Sequence, residues 1–560
     1  MLRLTYSKFF LLLLLLVTTA FPQNGPLIRS ENGMVVSAEK LASKVGITIL
    51  RQGGNAIDAA VAVGFALSVT YPVAGNIGGG GYMVIVFPDG KSTTIDYRET
   101  APFLATRDMY LDEKGEFLPN LSQKGALSAG VPGSVAGLIY AHQKYGKLPF
   151  AKVIQPAINL ASDGFPLPYE TAESFQNNQN SFKEFSSTMK IFSRGGELYK
   201  RGDIFRQQEL AKTLTRIKEA GFSGFYEGET ADLIVACMKN NGGIITHDDL
   251  RRYKPVEREA LRSTFHDYEI ISMGPSSSGG VTLINMLNIL ENFKIEKNEW
   301  GSSRYMHLLT ETMKLAYADR AEHLGDPDFF PVPTGGLISK EYAQSRSKLI
   351  GENAVRSSGV TFGKPESEQT THYSVLDKNG IAVSVTTTIN SGYGSKLVVD
   401  GAGFLLNNEM DDFSAKPGVP NQFGLVGNEA NSIQPFKRML SSMTPTVVLK
   451  NKRPFLVIGT PGGSTIITGV LQVVVNAAVF GMDLRQAIDM PRIHHQWLPD
   501  QILHEKYALS RDVLENLKKR GHLIGPERQL NLMEGILIDQ EKGIIWGYSD
   551  SRGSGSAEGY

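Results

Sequence analysis

The stretch TTHYSVLDKNGIAVSVTTTIN, residues 370–390, decides the fold. Apolar and polar residues alternate on both sides of the turn Lys378-Asn379-Gly380, which predicts a β-hairpin. Two more strands are predicted at residues 444–449 and 454–458. Helical spacing is found before the hairpin, at residues 280–293 and 303–323, and after it, from Ser464 onward. Strands framed by helices predict a layered α/β or α+β architecture.

Glycines divide the first third of the chain. Residues 37–69 have helical spacing, and Gly53-Gly54 should break this stretch into two helices. The glycine run at residues 78–81 leads into a strand instead of a helix and lacks the Lys-Ser/Thr ending of a phosphate-binding loop. We therefore expect a tight turn that brings the backbone close to another segment, and no nucleotide site.

Length and charge exclude some classes of protein. A chain of 560 residues can bury one large core or two domains. Lys plus Arg and Asp plus Glu both number 57, so the formal net charge is zero. No overall field attracts nucleic acid or an anionic membrane, and no nucleic-acid partner is predicted.

The N-terminal segment indicates export. Residues 1–23 contain basic Arg3 and Lys8, then an apolar run and small residues, which is the layout of a secretory signal peptide. The apolar run is short for a bilayer span, so we expect cleavage and no stable membrane span, with an uncleaved anchor as the alternative. The mature protein should be periplasmic or secreted. Cys237 is the only cysteine, which excludes an internal disulfide, and its apolar helical setting predicts a buried thiol.

Thr370 suggests a reaction. A threonine hydroxyl in mid-chain has no base ready to remove its proton, but cleavage of the Gln369–Thr370 bond would free an α-amino group on the same residue. Because such an amine has a pKa of about 7.7 to 8.0, it can act as the general base near neutral pH. Residues 340–368 are polar and predict an exposed, mobile loop. The sequence thus indicates a self-cleaving precursor.

Several motifs in order give the chain a family resemblance. They are GGNAIDAA (53–60), YRETAP (97–102), TTHYS (370–374), LLNNEMDDF (405–413) and PGGS (461–464). With them the chain resembles the γ-glutamyltranspeptidases of the N-terminal nucleophile hydrolase superfamily, from about residue 37 to the C-terminus. The resemblance implies an αββα sandwich built as one domain. It also implies cleavage into a large subunit, residues 24–369, and a small subunit, residues 370–560, that stay associated.

The same resemblance implies roles for individual residues. Thr370 would be the nucleophile and amine base, Thr388 would support it, and Gly462 and Gly463 would form the oxyanion hole. A donor's α-amino group would be held by Asn390, Glu409 and Asp412. Its α-carboxylate would be held by Arg98, Ser441 and Ser442, since a guanidinium fork suits a carboxylate.

This chain departs from well-known bacterial relatives at three positions. Phe423 stands where they have a lid tyrosine, Thr465 where they have an arginine, and Met439 where they have a proline. These differences concern lid closure, acceptor choice and the balance of hydrolysis and transfer, and they leave the nucleophile and oxyanion hole intact.

A metal site is not expected. His494 and His495 are adjacent and would point in different directions, and no third ligand follows at suitable spacing. A structural role is favoured for both, and the predicted chemistry requires no cofactor.

The predicted function is that of a γ-glutamyltransferase or glutathione hydrolase. Its substrates would be glutathione and other γ-glutamyl amides, and its acceptors water, amino acids or dipeptides. Two alternatives remain: a related acylase acting on cephalosporin or glutaryl side chains or on poly-γ-glutamate, and a processed protein that only binds.

Overall fold

The computed structural model describes residues 26–357 and 370–560. The strands, in chain order, are β1 (Ile28–Ser30), β2 (Met34–Ser37), β3 (Gly80–Val86), β4 (Ser92–Asp96), β5 (Phe165–Pro166), β6 (Ser193–Arg194), β7 (Glu197–Leu198), β8 (Ile204–Phe205), β9 (Val256–Arg258), β10 (Leu261–Phe265), β11 (Tyr268–Ser272), β12 (Thr371–Leu376), β13 (Ala382–Thr388), β14 (Thr446–Lys450), β15 (Arg453–Gly459), β16 (Ile493–His494), β17 (Ile502–His504), β18 (Ile524–Glu527), β19 (Glu534–Asp539), β20 (Ile544–Ser549) and β21 (Ser556–Gly559).

The helices are α1 (Lys40–Arg51), α2 (Ala56–Thr70), α3 (Pro119–Gln123), α4 (Ser134–Tyr145), α5 (Phe150–Asp163), α6 (Tyr169–Asn177), α7 (Gln179–Lys183), α8 (Ser186–Phe192), α9 (Gln208–Ala220), α10 (Ser223–Tyr226), α11 (Gly228–Asn241), α12 (His247–Arg252), α13 (Gly279–Leu290), α14 (Ser303–His323), α15 (Thr334–Leu337), α16 (Lys340–Ser347), α17 (Thr465–Ala478), α18 (Leu484–Asp489) and α19 (Arg511–Lys519).

Two seven-stranded antiparallel sheets form the centre of the described chain. One has the order β1-β20-β19-β15-β14-β11-β10 and the other β21-β2-β12-β13-β3-β4-β9. Side chains from both sheets meet in an apolar layer between them. Helices α1, α2, α4 and α5 cover the outer face of the second sheet, and α13, α14 and α17 cover that of the first. The predicted αββα sandwich is therefore confirmed.

The predicted hairpin is the β12–β13 pair. Thr371 lies opposite Thr387 and Leu376 opposite Ala382, so the pairing is continuous. Each sheet contains strands from both sides of Thr370, and in the second sheet β12 pairs with β2 and β13 pairs with β3. The parts of the chain before and after Thr370 consequently share one core.

Local signals explain the first helical layer. Helix α1 ends at Arg51, and α2 begins after Asn55, whose side chain and that of Asp58 form a reciprocal cap. All residues of α2 are buried, as expected for an apolar helix between a sheet and other helices. The predicted break at Gly53-Gly54 is confirmed.

The glycine run makes the close approach that its sequence predicted. A Cβ on Gly79 would lie 2.1 Å from the carbonyl oxygen of Thr388, which leaves no room for a side chain. The run therefore lets β3 pack directly against the end of β13.

One prediction was wrong. Lys340–Ser347, the first part of the loop predicted at residues 340–368, is a helix, α16, and residues 358–368 of that prediction lie outside the described residues. The Ser339 side chain caps it, and it packs against α13. These tertiary contacts stabilise a helix whose polar composition alone does not predict one.

Of the remaining predictions, the one for Cys237 is confirmed, and others fall on residues outside the described ranges. Cys237 lies in α11 and is buried, and burial raises the pKa of its thiol to about 11. The proposed signal peptide and Gln369 lie outside the described residues. Among the residues that are described, no helix is both long and apolar enough to cross a membrane.

Candidate functional site

The β12–β13 register positions the candidate nucleophile. Because Thr371 pairs with Thr387, the same register carried one residue further places Thr370 opposite Thr388. Both threonines are buried. Thr370 shares its strand face with His372 and Ser374, and the Ser374 hydroxyl donates to the Glu534 carbonyl of the other sheet. Thr370 thus lies at the end of a strand and faces the layer between the sheets.

A single cavity connects most of the predicted site residues. It is lined by Arg98, Arg320, Thr370, Thr388, Asn390, Glu409, Asp412, Phe423, Leu425, Leu440, Ser441, Ser442, Met443, Gly463 and Ile466. Its volume of about 20 Å³ is enough for roughly one water molecule. Of the predicted catalytic, substrate-binding and lid residues within the described ranges, only Gly462 does not line it.

Arg98 is the centre of a buried charge cluster. Its Nη1 lies 2.5 Å from Glu409 Oε2 and 3.5 Å from Glu99 Oε2, and its Nη2 donates to Asp412 Oδ2 at 2.5 Å. The Nε group donates to the Met439 carbonyl at 3.3 Å. The cluster gathers three carboxyl groups around one guanidinium, so acids outnumber Arg98.

Burial dominates the ionisation of these acids. It raises the pKa of Glu99 to about 8, although the neighbouring Arg98 opposes the shift. Burial also raises the pKa values of Glu409 and Asp412, again against the effect of Arg98. A further cation placed among these groups would favour their ionised forms. The cluster can therefore accept an ammonium group.

The other polar groups of the cavity are held by the backbone. Asn390 has a positive φ of 73°, its N–H donates to Thr388 Oγ1 at 2.7 Å, and its side-chain amide donates to the Asn408 carbonyl at 2.9 Å. The Ser441 hydroxyl oxygen accepts from the Met443 N–H at 3.1 Å. These bonds position hydroxyl and amide groups around the cavity before any ligand binds.

Gly462 and Gly463 form the turn between β15 and α17. Their φ values of 135° and 49° lie in the region that favours glycine. Helix α17 begins two residues later, at Thr465, so the turn lies at the positive end of a helix dipole. This environment suits a developing negative charge.

Each of the three departures has a defined position. Phe423 is buried and lines the cavity, and Asn421, two residues before it, donates to Asp412 Oδ1 at 3.3 Å. The Thr465 hydroxyl is bonded to the Gly462 carbonyl at 2.8 Å, beneath the glycine turn. Met439 is buried, and its carbonyl is the acceptor from Arg98.

Sequence reasoning missed Arg320 and Glu99. Arg320 comes from α14, far from every motif, and is 4% exposed. An arginine in a helix with mixed polar and apolar residues is usually interpreted as a surface charge, so no sequence signal indicated it. Glu99 follows Arg98 directly within the YRETAP motif, and its burial is the observation that adds it to the cluster.

His494 and His495 both form hydrogen bonds with neighbouring protein groups. His494 bonds through Nδ1 to Thr468 and through Nε2 to Gln496. His495 bonds through Nε2 to Asp500 at 3.2 Å, and its Nδ1 accepts from the Trp497 N–H. Both rings thus hold local structure. In residues 26–357 and 370–560, no three His, Cys, Asp or Glu side chains come together as metal ligands could.

The burial of His372 predicts that the folded protein loses stability as pH falls. Burial lowers its pKa to about 3, whereas an unfolded histidine titrates near pH 6.5. Between these values the unfolded chain binds a proton that the folded protein does not, so stability falls as pH falls, by up to about 1.4 kcal/mol per pH unit. We expect His372→Gln to flatten the loss of melting temperature between pH 6.5 and 4.5. The exposed His247→Gln is the control, and equal slopes for wild type and His372→Gln would contradict this origin.

Comparisons with known proteins agree with the fold and the site. The family model for gamma-glutamyltranspeptidase matches residues 42–560. The glutathione hydrolase proenzyme of Escherichia coli K12 is 47% identical over 94% of this chain and 91% of the relative, and that of Pseudomonas aeruginosa is 45% identical over 94% of each.

Solved structures also match. Cephalosporin acylase from Bacillus halodurans superposes with a TM-score of 0.87 at 28% identity, over 97% of this chain and 98% of that one. A chain of Helicobacter pylori gamma-glutamyltranspeptidase superposes with a TM-score of 0.57 at 45% identity, over 58% of this chain and 94% of that one.

An αββα sandwich with a threonine at a strand end facing the layer between its sheets defines an enzyme of the N-terminal nucleophile hydrolase class. Within that class the chain belongs to the gamma-glutamyltranspeptidase family. Membership in a family of enzymes sets aside the alternative of a protein that only binds.

Proposed function

We propose that this protein is a self-processing γ-glutamyltransferase and glutathione hydrolase that uses Thr370 as its nucleophile. The observation that supports this most is the single cavity in which Thr370 meets the Arg98 cluster. A nucleophile beside groups that recognise both charges of an α-amino acid suits a donor whose acyl group ends in an amino-acid head. The curated relatives at 44 to 47% identity carry the name glutathione hydrolase proenzyme.

Self-cleavage is the first step of the proposal. The Thr370 hydroxyl attacks the Gln369 carbonyl carbon, and the Gln369–Thr370 amide becomes an ester as the amine is released. Water then cleaves the ester and leaves a carboxylate on Gln369 and a free amine on Thr370. The subunits, residues 24–369 and 370–560, stay together because both contribute strands to both sheets. The shorter solved chain of the H. pylori relative supports a two-polypeptide form.

Recognition of the donor follows from the charges in the cavity. Its α-ammonium would bind Asn390, Glu409 and Asp412, which offer acceptors and negative charge. Its α-carboxylate would bind Arg98, Ser441 and Ser442. An ammonium placed among these three buried acids would favour their ionised forms, whose combined charge Arg98 alone does not balance.

Acyl transfer completes the cycle. The Thr370 amine takes the hydroxyl proton as the oxygen attacks the γ-carbonyl, and the Gly462 and Gly463 amides stabilise the oxyanion. The leaving amine takes that proton. Water, an amino acid or a dipeptide then attacks the γ-glutamyl ester and gives its proton to the Thr370 amine, which passes it to the Thr370 oxygen as the ester bond breaks. Thr388, opposite Thr370, supports the nucleophile.

The cavity must open before a donor binds. A volume of about 20 Å³ cannot hold a γ-glutamyl group. Phe423 lines the cavity, and Asn421 in the same loop donates a hydrogen bond to Asp412. We propose that this loop moves as a lid, although Phe423 lacks the hydroxyl of a tyrosine lid.

A second candidate function is that of an acylase for cephalosporin or glutaryl side chains, because the cephalosporin acylase superposes over 97% of this chain. Glutaryl anilide, which lacks only the α-amino group of γ-glutamyl anilide, separates the two. We expect kcat/KM to be at least about 10²-fold higher for γ-glutamyl anilide, since glutaryl leaves buried acids without their cation. Asp412→Asn should narrow this ratio. Equal rates on both anilides would favour the acylase.

Export is part of the proposal. The basic, apolar and small residues of residues 1–23 support a signal peptide and a periplasmic or secreted mature protein. The glutathione that it meets would then be extracellular or periplasmic.

A further inference from the structure

Arg320 is a second buried arginine of the cavity, and none of the assigned roles uses it. Helix α14 carries it, and it is 4% exposed. A buried guanidinium is costly unless its donors are satisfied and its charge is used. Within the described residues Glu409 and Asp412 form ion pairs with Arg98 and none with Arg320, so the function of this second cation needs a separate explanation.

Two serines hold the Arg320 guanidinium. Its Nε donates to Ser278 Oγ at 2.9 Å, and its Nη2 donates to Ser442 Oγ at 3.2 Å. The Ser278 hydroxyl in turn donates to the Ser441 carbonyl at 2.6 Å, and the Ser278 N–H donates to the same oxygen at 2.8 Å. Ser278 thus links Arg320 to the backbone of the Ser441-Ser442 pair.

These bonds determine where the Ser442 proton can point. A serine hydroxyl has one proton to donate and lone pairs to accept. Since Ser442 Oγ accepts from Arg320, its own proton must point away from the guanidinium. In the described ranges the Ser442 hydroxyl donates to no protein acceptor, and the residue lines the cavity. Its proton therefore remains available for an acceptor within the cavity.

We propose that Arg320 is a positioning residue for the donor's α-carboxylate: it occupies the Ser442 lone pair, directs the Ser442 proton into the cavity, and adds a second positive charge beside the carboxylate. A carboxylate only accepts hydrogen bonds, so a serine held as a donor is the matching partner. This inference rests on the proposed function, because it requires a donor with an α-carboxylate.

Two substrates and two arginines test the proposal. Wild type, Arg320→Gln and the control Arg304→Gln, on the same helix but exposed, are assayed with γ-glutamyl anilide and with 4-aminobutyryl anilide, which lacks only the α-carboxylate. We expect Arg320→Gln to lower kcat/KM for γ-glutamyl anilide by about 10- to 100-fold, mainly by raising KM. The same variant should change kcat/KM for 4-aminobutyryl anilide by less than about threefold. Arg304→Gln should behave as wild type.

A merely structural role would reduce turnover of both substrates equally, and that result would overturn the proposal while the proposed function stands. If wild type fails to prefer γ-glutamyl over 4-aminobutyryl anilide, the proposed function has failed and the role of Arg320 with it. Self-cleavage and melting temperature show whether Arg320→Gln is folded.

Ser442→Ala keeps the proposal testable if Arg320→Gln does not fold. It should cause the same carboxylate-selective rise in KM, because Arg320 acts through Ser442. If both variants fold, the double variant should lose little more than either single variant, as expected for coupled residues. An unchanged KM in Ser442→Ala would overturn the proposal.

Discussion

Thr370→Ala is expected to yield one uncut, inactive polypeptide. Without the hydroxyl nothing attacks the Gln369 carbonyl, and without cleavage no free amine exists to act as a base. Self-cleavage and acyl transfer both depend on the Thr370 hydroxyl oxygen, so activity should fall to the background rate. Intact mass of the denatured protein, together with N-terminal sequencing, measures the outcome: wild type should give two chains, the smaller beginning at Thr370.

Two neighbouring substitutions control for this result. Thr370→Ser keeps a hydroxyl and an amine and should still be cleaved. Thr371→Val changes a buried threonine whose hydroxyl has no hydrogen-bond partner among the described residues, and it should be processed like wild type. Cleavage that persists at the same bond in Thr370→Ala would refute the mechanism.

Gly462→Ala is expected to lower kcat by about 10²- to 10³-fold with a small change in KM. The added Cβ would lie 2.6 Å from Thr465 Oγ1 and 2.9 Å from the Leu530 carbonyl oxygen, and φ at this position is 135°. The turn must therefore shift, and the amides at the start of α17 lose their alignment with the oxyanion. Steady-state kinetics on γ-glutamyl anilide would measure the loss.

Gly481→Ala is the matched control. Gly481 also has a positive φ, of 67°, but a Cβ there meets nothing within 4 Å. The control thus carries backbone strain without the collision and without proximity to Thr370. If Gly462→Ala retained kcat within about threefold of this control, the glycine turn would have no part in stabilising the oxyanion.

Local sequence was sufficient to predict the elements that are encoded by residues close together in the chain. The hairpin at residues 370–390 was predictable because the alternation and the turn lie within one short segment. The α1–α2 break was predictable because a glycine pair and a cap lie together. Resemblance then supplied Arg98, Asn390 and the serine pair, which no local pattern distinguishes from surface residues.

Other features depended on contacts between distant segments. The Lys340–Ser347 helix forms because α13 packs against it, and its polar sequence did not reveal this. The excess of acids around Arg98 required the burial of Glu99, Glu409 and Asp412 together, and burial is what raises their pKa values.

By itself, the sequence determined the hairpin, the layered class of fold and the threonine at residue 370, because each is encoded in adjacent residues or in ordered motifs. Only the tertiary structure decided that Arg320 reaches Ser442, that Phe423 lines a cavity of about 20 Å³, and that chain segments before and after Thr370 share both sheets. The physical reason is that burial, hydrogen-bond direction and electrostatic coupling arise between groups that folding brings together. The positions of these groups along the chain do not reveal such properties.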